Sequence, residues 1–164
     1  VVSTMKKNST NATSTIYPVQ LISLGVKELS IKSNVQPDVD VEADASKCSI
    51  RIGSTDYDKK EKVIVVTLRL ELGTSPNETD SPFTMKIELV GFFQVMDEIH
   101  FPIQHISDWA NQNAPFVLYP YLREHVFGLS ARCGFKPLIL PLLEVPTFKI
   151  DKPKQPKPRR GAGK

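Results

Sequence analysis

The side chains able to do chemistry are few and poorly grouped. His100, His105 and Asp108 lie close together in sequence and carry metal-ligating atoms. A helix starting at Pro102, however, leaves His100 outside it and puts only His105 and Asp108 on one face, so a solvated or capping role is expected rather than a metal site. Glu124 and His125 are neighbours on a second helical stretch and point in different directions, which argues against an acid/base pair. Cys48 and Cys133, the only cysteines, have none of the close spacing of zinc or redox motifs, and reduced thiols are expected. The chain contains no phosphate-cradling G-x-x-x-x-G-K-[ST], no H-E-x-x-H, no G-x-S-x-G and no dinucleotide fingerprint. No catalytic residue, cofactor or metal is therefore expected, which leaves binding as the class of function to consider.

Charge is unevenly spread. The 164 residues carry a net +3, but residues 149–164 alone, with five lysines and two arginines against Asp151, carry +6. That leaves −3 for residues 1–148, a mildly acidic body with a basic tail. Nucleic-acid-binding domains usually carry their basic patch on the fold itself, so that class is disfavoured, although the tail could attract RNA or an acidic surface. No run of about 18 apolar residues suggests a membrane span, and no apolar leader opens the N-terminus, so a cytoplasmic protein is expected. The sequons at Asn8, Asn11 and Asn77 then read as chance.

The elements that would position a binding site can be read from periodicity. Residues 1–15 are polar and offer nothing to bury, a disordered arm; residues 16–150 form one domain; residues 151–164 are a disordered Pro/Lys/Arg tail. From Tyr17 the apolar period is two, but Ile22, Leu24 and Val26 have one parity and Leu29 and Ile31 the other, which requires a bulge around Gly25 to Glu28. Residues 38–46 alternate acidic and small apolar side chains, as an edge strand or extended segment would. Lys47 to Asp56 is a further strand candidate carrying Ile50 and Ile52. Val63 to Leu72 alternates cleanly, and Phe83 to Val95 returns after a loop containing Pro76 and Asn77. A short helix then follows Pro102 and ends near Asn111 to Asn113. A longer helix is expected from Pro120, with Leu122, Val126, Leu129 and Cys133 on one stripe, stopped at Gly134. Pro141 and Pro146 keep the apolar segment 138–148 extended.

Apolar area is left over. Val90, Phe92, Met96, Ile99, Phe101, Ile106, Trp109 and Phe116 cluster where the last strand passes into the short helix. Some of them must pack helix on sheet. Together they are also the candidate lining of a binding groove, because aromatic side chains offer large, sequence-tolerant contact area.

Three strings, Val90-Gly-Phe-Phe-Gln-Val95, Val117-Leu-Tyr-Pro-Tyr-Leu-Arg-Glu124 and Arg132-Cys-Gly-Phe-Lys-Pro-Leu-Ile-Leu-Pro141, resemble the bacterial SecB export-chaperone family. With the strands before them they extend the resemblance from Tyr17 to Phe148. It implies an α+β subunit, a four-stranded antiparallel sheet with two helices packed on one side, assembled as a dimer of dimers. Tyr121, His125, Phe127 and Ala131 would contribute to that assembly. It also implies ATP-independent holding of extended polypeptide clients in the groove.

Two departures bear on the partner. The family's strand-four acid, which helps dock the SecA motor, falls on Lys86, and the family's last helix and SecA-contacting tail are replaced by the basic tail. Delivery to SecA is thereby put in doubt. SecB-like proteins of toxin–antitoxin systems, some acting in phage defence, protect an antitoxin instead, and this chain resembles that branch at least as well. The expectations are ordered as an antitoxin client with its toxin, then general export, then an RNA- or protein-binding module.

Overall fold

In the computed structural model, which describes residues 16–75 and 80–144, the chain forms four strands and two helices. The strands are β1 (Val19–Ser33), β2 (Ser49–Ser54), β3 (Val63–Leu72) and β4 (Phe83–Val95). They make one antiparallel sheet in the order β1-β4-β3-β2. The helices are α1 (Ile106–Gln112) and α2 (Ala114–Arg132). The α+β class, the four antiparallel strands and helices on one face of the sheet are as the sequence led us to expect.

Alternation decides what each face carries. Ile64, Val66, Leu68, Leu70 and Leu72 of β3 and the odd residues of β4 from Phe83 to Phe93 are buried beneath the helices. The other face carries a polar network in which Arg69 reaches Glu28, Glu71 and Glu88. In β1, register shifts lie between Val26 and Glu28, where a bulge was expected, and also between Leu21 and Ser23. The second shift keeps Val19, Leu21 and Leu24 all on the helix face.

Three local expectations are corrected. Residues 38–46 form no strand, because their acids bond to the backbone nearby and bend it. The Asp38 carboxylate accepts from the Asp40 N–H, and that of Asp44 accepts from Ser46 N–H ahead of a single 3-10 turn at Ala45–Lys47. The segment is tied instead to residue 136, whose N–H donates to Val41 O and whose ammonium meets Glu42 at 2.6 Å. Secondly, Pro102 precedes a 3-10 turn at Ile103–His105, and α1 proper begins at Ile106. Thirdly, α2 begins at Ala114 rather than Pro120, with Pro115 in its first turn and Pro120 inside. The helix tolerates losing one main-chain bond at Pro120 because Leu118, Leu122 and Val126 are completely buried on the sheet. Each such burial contributes about 1.5–3 kcal/mol.

Gly91 and Ser130 fix where α2 lies. A Cβ on Gly91 would sit 2.7 Å from Leu118 Cδ2 and 2.8 Å from Phe93 Cε2, so only glycine permits this approach of helix to strand. Ser130 is buried; its hydroxyl donates to Val126 O and accepts from Leu138 N–H, 2.8 Å each. Gly134, at φ +81°, turns the chain back. Phe135, Leu138 and Leu140 then enter the core alongside α2, where Arg123 Nε donates to Leu140 O and the Tyr119 hydroxyl to Pro141 O. The polar arm (1–15), the basic tail (151–164) and the end of the extended segment at 145–148 lie outside the described residues.

Candidate client-binding pocket

A half-open cavity of about 460 Å³ lies between the start of β1, the end of β4 and the α1–α2 junction. Its walls are mainly rings and branched aliphatics: Tyr17, Val19, Leu21, Phe93, Trp109, Phe116, Val117 and Tyr121, with Gln20 and Asn113 as polar members. Trp109 is the centre of the construction. Its ring stacks with Tyr17 at 6.3 Å, meets Phe93 edge-on at 5.3 Å and is backed by Phe101 at 6.2 Å. Rings held at these separations gain beyond simple burial and form a stiff wall. Trp109, Phe93 and Phe101 are buried, whereas Tyr17, Val117 and Tyr121 are each more than 40% exposed, so the pocket has a fixed floor and an open lip.

The loop after β4 is pinned on both sides. Met96 N–H donates to Pro18 O and Val95 N–H to Lys62 O, while Lys62 pairs with Glu98 at 3.1 Å. Asp97 meets the His100 ring and accepts from the N–H groups of His100 and Ile99, contacts that hold its carboxyl below the usual carboxylate range. His100 thus sits at a loop hydrogen bond outside α1. Among the described residues no group of three or more His, Cys, Asp or Glu side chains gathers as a metal site would require. Among the described residues Cys48 and Cys133 form no disulfide.

The candidate groove residues divide by place. Trp109 and Phe116 line the pocket, and Phe101 supports it from behind. Ile106 is buried in the core. Met96 and Ile99 are exposed on the loop after β4, Ile99 almost fully. Val90 and Phe92 lie on the opposite face of the sheet, Val90 buried and Phe92 partly open. Of the candidate assembly residues, Tyr121 turns to the pocket, His125 is half-buried, and Phe127 and Ala131 are exposed on another side of α2. Sequence reasoning missed Val19, Leu21 and Phe93 as pocket walls; the alternation Tyr17-x-Val19-x-Leu21 was the available signal for the β1 side.

Residues 12–147 match the family model described as preprotein translocase subunit SecB. The chain is 26% identical over 115 residues to protein-export protein SecB of Azoarcus sp. (strain BH72), covering 70% of this chain and 74% of that one. It is 30% identical to that of Acidithiobacillus ferrooxidans, covering 70% and 76%. Among solved structures, the Mycobacterium tuberculosis Rv1957 SecB-like chaperone, in complex with a ChAD peptide from Rv1956 HigA1 antitoxin, superposes with a TM-score of 0.60 at 18% identity, over 77% of this chain and 91% of that one. The α+β sheet-and-helix architecture is shared with it, and the matched family model covers every described element, so this chain belongs to the SecB family.

Proposed function

We propose that the protein is an ATP-independent holdase, with no catalytic activity of its own, that keeps extended client polypeptides from aggregating by seating their apolar side chains at the Trp109 pocket. The observation carrying this reading is an aromatic cavity with a rigid floor and an exposed apolar lip, placed at β1, which is an edge strand. A peptide crossing the lip meets both side-chain surface and a strand edge able to pair with its main chain. Met96 and Ile99 expose further apolar surface on the loop after β4, and Phe92 offers a patch on the other sheet face. Each seated side chain contributes up to about 1.5–3 kcal/mol, and several weak sites on linked subunits reinforce one another. Phe127 and Ala131, with Ile139 and Leu142 exposed on the segment running beside α2, form the assembly face of a cytoplasmic dimer of dimers.

An antitoxin, held with its toxin, is the first choice of client. Lys86 supports it: this residue lies on the outer sheet face opposite Glu71 and Ser30, where the family resemblance places an acid for SecA docking. The fold shared with Rv1957, whose partner is an antitoxin peptide, points the same way. General export is the second reading, favoured by the protein-export relatives.

The test is a pull-down of tagged protein from its native cells with mass determination of the intact complex. A tetramer carrying one small partner and its toxin supports the dedicated role; a mixture of precursor proteins supports export; a bare monomer overturns the holdase reading. Introducing Phe116→Ser and Val117→Asp together should weaken capture while leaving the fold intact. Unchanged capture by the folded double variant would remove the pocket from the mechanism.

A further inference from the structure

Asn113 occupies the position before the first turn of α2, where an asparagine ordinarily caps the helix by accepting from the second or third N–H. Here neither is on offer. The second helical residue is Pro115, which has no N–H, and the N–H of the third, Phe116, already donates to Asn113's own main-chain oxygen at 3.0 Å. The side chain accordingly makes no capping bond, and its Oδ1 is buried with no hydrogen-bond partner among the described residues. Such an orphaned acceptor is costly and unusual. It belongs to one of the two carboxamide residues in the wall; the other, Gln20, donates one amide N–H to Tyr17 O.

The geometry points to Asn113 as a specificity-determining residue: its carboxamide oxygen selects client side chains that are aromatic and carry a donor, the indole N–H of tryptophan or the hydroxyl of tyrosine, over phenylalanine. This rests on the holdase reading of the pocket and names what the pocket prefers. The aromatic walls take a flat ring of any kind. Rotation about χ2, a soft torsion for asparagine, turns the oxygen toward a seated ring, where a donor on that ring satisfies the acceptor and phenylalanine leaves it unmet. A site with a buried polar group discriminates against an analogue lacking the matching group more strongly than an apolar site discriminates by size.

The experiment uses the full chain and a fluorescein-labelled extended peptide of Ser, Gly and Ala with one variable central residue, read by anisotropy. That residue is tryptophan, its benzothienyl analogue in which sulfur replaces the N–H, tyrosine or phenylalanine. Tryptophan should bind about five- to tenfold tighter than the benzothienyl peptide, and tyrosine similarly tighter than phenylalanine. Asn113→Leu should reduce both ratios to within about twofold, whereas Asn113→Asp, still an acceptor, should keep them. Equal binding of all four peptides to the wild type, or ratios untouched by Asn113→Leu, overturns the assignment while leaving the holdase reading in place. A uniform loss of affinity for all four in Asn113→Leu also overturns it, because the lost donor would then be the client main chain. If none of the four binds, both fail.

Discussion

Gly91→Ala isolates the contact on which the placement of α2 depends. The new methyl would lie 2.7 Å from Leu118 Cδ2, 2.8 Å from Phe93 Cε2 and 3.2 Å from Leu21 Cδ1. The first two distances are well inside ordinary carbon–carbon contact at about 3.5–4.0 Å. Leu118 and Phe93 are both buried, so neither can swing into solvent and the helix or the ring must shift. Overpacking of this kind costs about 1–3 kcal/mol, offset by about 0.5–1 kcal/mol because glycine is a poor strand residue. A net loss of about 0–2.5 kcal/mol, centred near 1 kcal/mol, is expected in urea unfolding followed by circular dichroism, at fixed protein concentration because assembly would couple to stability. Trp109, the single tryptophan, meets Phe93 edge-on, so its emission should change in the native state as well. Adding Leu118→Ala, alone worth about 2–5 kcal/mol, should remove the 2.7 Å contact and leave the one with Phe93, so the double variant should lose less than the two single losses added together. Additive losses, or a Gly91→Ala protein more stable than the wild type, would refute the close-approach argument.

Ser130→Ala should cost about 1–3 kcal/mol in the same unfolding assay, because it strands the buried Leu138 N–H; Ser130→Thr, which keeps the hydroxyl, separates that loss from simple cavity formation. Burial pushes the Tyr119 phenol up, so its contribution to stability is complete below about pH 10 and declines as pH rises through the folded-state value. Tyr119→Phe removes that contribution along with the bond to Pro141, and its stability should fall less steeply than the wild type's above about pH 10. Arg69→Met leaves Glu28, Glu71 and Glu88 facing one another, and its destabilisation should shrink between low and high salt; a salt-independent loss would mean that the arginine acts through its aliphatic stem.

The parts of this fold legible in the sequence are those in which a single physical signal acts alone. β3 obeys a period of two from Val63 to Leu72 without exception because one face is buried and the other carries Thr67, Arg69 and Glu71. The Val26/Glu28 bulge could be read because apolar residues change parity across it. Where two signals compete, reading failed. Pro120 is a strong marker of a first helical turn, but tertiary burial of Leu118 and Leu122 extends the helix six residues upstream of it. The alternation at 38–46 fits a strand, yet carboxylates next to their own backbone bend it into turns.

The pocket shows the same limit more sharply. Trp109 and Phe116 could be nominated as large apolar residues near the end of the sheet, but so could Phe92, and only the pleat distinguishes them. Phe93 faces the helices and Phe92 the other side, one residue apart. On β1, Val19 and Leu21 alternate onto the pocket face, but the Leu21/Ser23 shift that brings Leu24 to the same face has no change in composition to announce it. Asn113 lies further still beyond sequence reasoning, for its type and position both describe a helix cap. Its oxygen becomes available only because Pro115 withholds one N–H and Asn113's own carbonyl occupies the next. A binding role emerges there by subtraction, from local hydrogen-bond bookkeeping that a motif search does not perform.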